Sequence, residues 1–232
     1  MNIKILHLVE GAKKATGVTV VIDVFRAFTV EAYLMSQGAE KIFPVGDIDF
    51  AYKYKEEHPE TLLVGERHGK MCEGFDYGNS PMQFVGKDLS GKTVIHTTSA
   101  GTQGIANATN AEVLLTGSLT NAKAVAEYIK SLGATDVSLV CMGLEALAPT
   151  EEDTLCARYI ESILLGEPLD LTEEIENLKI TSGAKFFDEA QKEVFPTEDF
   201  YLSTKVDIFP FVLRVYKDEN GMDYVKKIDI KI

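Results

Sequence analysis

The chain is short of positive charge. Against 36 Asp and Glu it carries only 23 Lys and Arg, a formal net charge of −13. Phosphate backbones are held mainly by counterion-releasing cations, so this balance argues against a nucleic-acid partner. It also repels small anions at long range. A phosphate site in this chain must therefore be a local construction of arginines, helix N-termini or a bound cation.

Cysteine is scarce too. Cys72, Cys141 and Cys156 are far apart, odd in number and form no Cys-x-x-Cys pair, which disfavours a disulfide framework and structural zinc. No window reaches the ~18 consecutive apolar residues that span a membrane. Met1–Leu6 reads as a strand and lacks the basic region, apolar stretch and cleavage site of a signal peptide, so a cytoplasmic location with reduced thiols is expected. The histidines, His7, His58, His68 and His96, have no metal-binding spacing; His96 sits in an apolar strand as a core residue, and His68 lies in a loop. No Pro/Ser-rich linker, internal repeat or low-complexity stretch divides the chain.

What is present is the alternation of a globular α/β domain, with 45% hydrophobic and 25% charged residues in 232. Val18–Ile22 is an apolar-plus-Thr run of the type buried on both faces of a parallel sheet. A helix from Ala27 to Gln37 follows, with Gly38 at its end. Further strands are predicted at Lys41–Val45, Thr61–Val64, Lys92–His96, Glu112–Leu115 and Asp136–Cys141. Helices are predicted from Asp47, as N-cap, to Glu57, after Thr102, from Leu119 to Leu132 and from Glu151 to Leu165. Gly65–Lys87 reads as a long, functional loop. Leu171–Lys192 reads as helical, and Asn220-Gly221 between two alternating runs signals a C-terminal hairpin. The expected architecture is a three-layer α/β/α single domain, residues 1–232. Its sheet is largely parallel, with an antiparallel addition from about residue 171. An exposed hairpin edge could pair with a second subunit in a homodimer.

In open α/β sheets ligands sit outside the carboxyl ends of the strands, which turns strand-end residues into candidates. Asp23 follows Val18–Ile22; it could hold Mg²⁺, attack phosphorus, or simply cap the next helix. Arg26 could fork onto an oxyanion or pair with Asp23. In the long loop, Glu66 can ligate metal, Arg67 can clamp an oxyanion, and Asn79 and Ser80 can donate hydrogen bonds; an ordinary turn-closed surface loop is the alternative. Thr97, Thr98, Ser99, Gly101 and Thr102 lie where a strand opens into a helix, an arrangement that seats an anion or merely caps the helix. Gly117 and Ser118 repeat it more weakly. Of Glu151, Glu152 and Asp153, which open a helix, one carboxylate could complete a metal site shared with Asp23. Cys141 is better read as a buried thiol than as a nucleophile.

Familiar phosphatase motifs are missing. Neither Cys72 nor Cys141 has Arg six residues on, and the Asp-x-Asp of haloacid-dehalogenase phosphatases fails at Phe25. Nor does a P-loop ending in Gly-Lys-Ser/Thr occur.

The segments 21–27 (Val-Ile-Asp-Val-Phe-Arg-Ala), 65–69 (Gly-Glu-Arg-x-Gly) and 74–81 (Gly-Phe-Asp-x-Gly-Asn-Ser-Pro) together resemble the 2-phosphosulfolactate phosphatase (ComB) family. Thr-Thr-x-x-Gly-Thr at 97–102, Gly-Ser at 117–118 and Glu-Asp at 152–153 complete the resemblance in order along the chain. It implies Mg²⁺-dependent hydrolysis of (R)-2-phospho-3-sulfolactate to (R)-3-sulfolactate and phosphate, as in coenzyme M biosynthesis. It also implies a site drawn from Asp23, Arg26, Glu66, Arg67, Asn79, Thr98, Gly101, Thr102 and Asp153, with Asp23, Asp153 and Glu66 toward the metal. Two alternatives stay open: a non-catalytic binder of small phosphorylated or sulfonated acids, and a haloacid-dehalogenase-like phosphotransferase.

Overall fold

Val18–Ile22 explains the layering. Val20 and Ile22 pack on one side of the sheet and Val21 on the other, because successive strand residues face opposite ways and all three are fully buried. The computed structural model describes residues 1–167 and 169–231. In chain order the elements begin β1 (Asn2–His7), α1 (Leu8–Lys14), β2 (Gly17–Ile22), α2 (Ala27–Ser36), β3 (Lys41–Pro44) and α3 (Ile48–Glu57). They continue with β4 (Leu62–Arg67), β5 (Lys70–Met71), β6 (Thr93–Thr97), α4 (Gly101–Asn107), β7 (Ala111–Gly117) and α5 (Ala122–Ser131). Last come β8 (Asp136–Cys141), α6 (Glu151–Leu165), α7 (Thr172–Leu178), α8 (Thr197–Ser203), β9 (Phe211–Lys217) and β10 (Asp223–Asp229).

Ten strands form one sheet in the order β1-β8-β2-β7-β9-β10-β3-β6-β4-β5. β1, β8, β2 and β7 are mutually parallel, as are β3, β6 and β4. One apolar core joins the sheet to α1, α2 and α4, and a second joins its other face to α5, α6 and α7. The result is the expected three-layer α/β/α architecture with a largely parallel sheet and an antiparallel C-terminal pair.

Local chemistry sets several boundaries. Asp47 caps α3, its Oδ1 accepting from Asp49 N at 3.0 Å. Gly166, at φ 77°, ends α6 in the left-handed conformation that favours glycine.

Three expectations need correction. The β9–β10 hairpin is not a sheet edge but lies between β7 and β3. Phe211, Val212, Leu213 and Val215 put apolar groups on both faces, so this run suits the sheet interior. The edge-pairing argument for a homodimer therefore loses its premise. Leu171–Lys192 is not one helix: α7 stops at Leu178, and Gly183 N turns back to Leu178 O at 2.8 Å. Two short 3₁₀ turns, Ala184–Phe187 and Glu189–Gln191, follow. Finally, the 65–87 stretch is less irregular than expected, since β4 runs on to Arg67 and folds back through β5, and Pro81–Phe84 forms a 3₁₀ turn.

Candidate active site

The carboxyl ends of β2, β8, β4 and β6 send their loops into one cavity of about 120 Å³. Asp23, Phe25 and Arg26 line it from the β2 end, Gly143, Leu144 and Glu145 from the β8 end, Glu66, His68 and Gly69 from β4, and Thr98, Ser99 and Ala100 from β6. Asn79, Thr150, Glu152, Lys185 and Phe195 complete the wall.

Asp23 is buried, and its Oδ1 accepts from Ala27 N, the first amide of α2, at 3.1 Å, although the N-cap position itself is Arg26. Among the described residues Oδ2 accepts no hydrogen bond. Burial pushes the carboxyl from its ordinary 3.8 up to about 7, opposed by the Ala27 amide and reinforced by Glu152 and Glu66. Asp23 thus holds the first amide of α2 and lines the cavity with the same side chain.

Gly101 makes that geometry possible. A Cβ there would stand 2.9 Å from Ala27 Cβ, 3.1 Å from Phe28 Cζ and 3.3 Å from Asp23 Oδ2. Gly65 serves the β4–β6 contact in the same manner, because a Cβ there would meet the Thr97 carbonyl oxygen at 2.2 Å. This close approach brings Glu66 under the β6 turn, where its Oε1 accepts from Ser99 N at 2.7 Å and its Oε2 from Gly69 N at 2.6 Å. Glu66 therefore clamps two loops together.

Asp153 does the same work on the other side. Its Oδ1 accepts from Val24 N and its Oδ2 from Gly143 N, both at 2.8 Å, which ties the β2 loop to the β8 loop. Its carboxyl is pushed well up by burial and by Glu152 and Asp23. Asp153 does not line the cavity; the neighbouring Glu152 does. Burial raises the Glu152 carboxyl as well, and its Oε2 is buried without a hydrogen-bond partner. The Thr150 and Ser182 hydroxyls stand close to it without completing a hydrogen bond. Ser99 Oγ is likewise buried and unpartnered on the lining wall. Orphaned buried polar atoms are costly, and three of them, Glu152 Oε2, Ser99 Oγ and Thr150 Oγ1, belong to residues of the cavity wall.

Arg26 does not pair with Asp23. Its Nη1 donates to Asp199 Oδ2 at 2.6 Å and to Val194 O at 2.9 Å, and its guanidinium carbon lies 4.8 Å from the Phe195 ring centroid. Asp199 also accepts at Oδ1 from Ser80 Oγ (2.8 Å) and Met82 N (3.1 Å), so Ser80 holds this strut and does not line the cavity. Asn79 does line it, backed by a buried relay: Asn79 Oδ1 is 3.1 Å from His96 Nε2, and His96 Nδ1 is 3.1 Å from Glu31 Oε1. His96 is the satisfied core histidine expected, and its second partner reaches the site.

The remaining candidates are structural neighbours of the cavity. Arg67 donates to the Glu66 and Gly46 carbonyls and to Thr97 Oγ1, while Thr97 Oγ1 donates to Val45 O. Thr102 Oγ1 donates to Thr98 O at 2.9 Å, closing the turn before α4. Ser118 pairs with Thr120 and caps the turn at Leu119–Asn121, and Gly117 O accepts from Asp23 N at 3.4 Å; neither residue lines the cavity. Cys141 is fully buried with its thiol pushed up by burial, an inert core group.

Two lining residues had no signal in the sequence. Phe195 precedes Pro196 in a polar stretch, and Lys185 lies in the segment expected to be helix. Gly183 packs the turn before Lys185 onto Phe200, where a Cβ would come within 2.6 Å of the ring, and Phe195 packs against the Arg26 guanidinium.

The donor set suits a hard divalent cation. Among the described residues no three His, Cys, Asp or Glu side chains converge into a full protein cage. Mg²⁺ needs none, since it takes one or two carboxylates and fills the rest with water and phosphate oxygens. Asp23 and Glu152 both line the cavity, and among the described residues Asp23 Oδ2 and Glu152 Oε2 each lack a hydrogen-bond partner, which matches that requirement.

A family model described as 2-phosphosulpholactate phosphatase matches residues 4–217. A Bacillus subtilis protein named "Probable 2-phosphosulfolactate phosphatase" is 34% identical over 87% of this chain and 88% of its own. A Carboxydothermus hydrogenoformans protein of the same name is 42% identical over 71% of this chain and 68% of its own. A third, from Clostridium acetobutylicum, is 36% identical over 71% and 69%. With the match running across both blocks of the sheet and every loop that lines the cavity, the chain belongs to the 2-phosphosulpholactate phosphatase family.

Proposed function

We propose that the chain hydrolyses (R)-2-phospho-3-sulfolactate to (R)-3-sulfolactate and phosphate, with Mg²⁺ held by Asp23 and Glu152. The observation that carries this reading is a cavity lined by both Asp23 and Glu152, with the buried Glu152 Oε2 left without a hydrogen-bond partner. Family membership supports the substrate class, and the relatives' names point to the same compound. In a host that makes coenzyme M, the reaction would serve that pathway.

When bound, the cation would polarise the phosphoryl group and offset its charge. The chain's residues supply the setting. Asp153 and Glu66 fix the loops that present Asp23, Ser99 and Gly143. Ser99 Oγ and the Asn79 amide offer hydrogen bonds to oxyanions. Phe25 and Phe195 wall off water and lower the local dielectric, which strengthens each charge contact. Phosphoryl transfer asks mainly for such alignment and charge stabilisation, so little covalent chemistry is required of the protein.

The test is phosphate release from 2-phosphosulfolactate, phospholactate and phosphoglycerate, with Mg²⁺ and with chelator. Release restricted to Mg²⁺ and fastest on the sulfonated substrate is the expected result. Full activity in chelator would remove the metal, and saturable binding without release would make the protein a carrier.

A further inference from the structure

The cavity wall is a poor host for an anion. Asp23, Glu66, Glu145 and Glu152 line it, against Arg26, His68 and Lys185. Arg26 is already committed to Asp199, and His68 Nδ1 lies 2.8 Å from Glu145 Oε1. Among the described residues Lys185 is the lining cation with no ion pair and no side-chain hydrogen bond. Its ammonium sits instead against three rings, 5.2 Å from the Phe195 centroid, 5.6 Å from Phe186 and 5.9 Å from Phe25.

Such a cage holds the side chain without using its three N–H donors. Lys185 lines the same cavity as Glu152 and Asp23, and its contact with Phe25, two residues after Asp23, sets it at the end of the cavity where the metal and phosphoryl group are proposed to sit. A lysine merely filling space would find a carboxylate or turn outward to water. This one is held over aromatic faces beside two carboxylates whose charge a bound cation would neutralise.

We infer that Lys185 is a catalytic residue whose ammonium binds a non-bridging oxygen of the substrate's phosphoryl group. The inference rests on the phosphatase reading and adds a residue from the C-terminal third. In the substrate-free protein the ammonium offsets the carboxylates; with substrate bound it turns its free donors to the phosphoryl oxygens, where negative charge is greatest. The sulfonate then lies further along the wall, away from Lys185.

Lys185→Met keeps the stem between the rings and removes the charge; Lys185→Arg keeps the charge. With saturating Mg²⁺, Lys185→Met is expected to lower kcat by about 10²–10³-fold on 2-phosphosulfolactate and equally on phospholactate, which has no sulfonate. Lys185→Arg should recover part of that loss. Mg²⁺ binding to the substrate-free Met variant, measured by calorimetry, should be unchanged or tighter, because a neighbouring positive charge is gone. Inorganic phosphate binding in the presence of Mg²⁺ should weaken by about tenfold or more. Near-normal turnover, a loss confined to the sulfonated substrate, or weakened Mg²⁺ binding alongside lost turnover would each overturn the assignment. If the unaltered protein releases no phosphate from either substrate, the phosphatase reading fails. The phosphate-binding comparison then decides Lys185 by itself, with equal affinities refuting it.

Discussion

Arg26 and Asp199 form a buried ion pair across 173 residues of sequence, Nη1 to Oδ2 at 2.6 Å, with neither side chain more than 3% exposed. It pins α8 and the Phe195 segment to the loop after β2. Asp199 is fully used, since Ser80 and Met82 occupy its other oxygen, and burial still holds its carboxyl above the ordinary value despite Arg26.

Breaking this pair from one side leaves a buried charge alone. Asp199→Ala should cost about 3–5 kcal/mol in urea unfolding, and it should lower turnover because Arg26 and Phe195 lose their positions together. Stability within about 1 kcal/mol of the unaltered protein would show that the pair is not a strut.

Asp23 sets a pH dependence. Its carboxyl stands near 7 in the fold against 3.8 ordinarily, so between those values the folded state holds the extra proton. Stability contributed by this group is therefore fully present below about pH 4 and is lost as pH rises through about 7. In metal-free protein its share should make Tm fall over that window, and saturating Mg²⁺ should flatten the fall in the unaltered protein. Asp23→Asn should abolish the Mg²⁺-sensitive part. A Tm that declines equally with and without Mg²⁺ would disconnect Asp23 from the cation.

The same proton competes with the metal. The apparent Mg²⁺ affinity should drop as pH falls below about 7, and Glu152→Gln should weaken binding by about tenfold or more without a comparable loss of fold. Unchanged Mg²⁺ binding in that variant would return the second ligand to Asp153 or Glu66.

Gly101 gives a steric test. Gly101→Ala adds a methyl 2.9 Å from Ala27 Cβ and 3.3 Å from Asp23 Oδ2, so α2 or α4 must move. A stability loss of about 1–3 kcal/mol is expected, with a fall in kcat larger than any rise in KM. Gly86→Ala is the control: its Cβ would meet no atom within 4 Å, although its φ of 75° adds backbone strain.

The parts of the fold that could be read in the sequence carry their signals locally. Asp136–Cys141 is a bounded apolar run, Glu151–Leu165 starts in three acidic residues and stops at Gly166, and Asn220-Gly221 sits between the strands of a hairpin. The hairpin's place inside the sheet was not legible, because order across a sheet depends on partners far away in sequence. α1 was missed for another reason. Leu8 turns the chain at φ 61° without glycine, so the apolar run of β1 gives no sign of its end.

The site divides in a similar way. Asp23, Glu66 and the 97–102 turn follow strands and could be found by position. Asp199, Phe195 and Lys185 could not, since their contacts to the β2 loop lie about 160–173 residues away; Lys185 falls inside the run that reads as a helix, and Phe195 and Asp199 fall beyond it. Asp153 and Glu152 were separable only by direction: adjacent on α6, one faces the backbone of two loops and the other the cavity.

The role proposed for Asp23 and Glu152 is to hold Mg²⁺ for phosphoryl hydrolysis. Phosphate release from 2-phosphosulfolactate by the unaltered protein, Asp23→Asn and Glu152→Gln, each titrated with Mg²⁺ after chelation, decides that role. No release without Mg²⁺, saturable recovery in the unaltered protein, and turnover lower by about 10²-fold or more in both variants at saturating Mg²⁺ are expected. Turnover in chelator, or near-normal turnover in either variant, would contradict it.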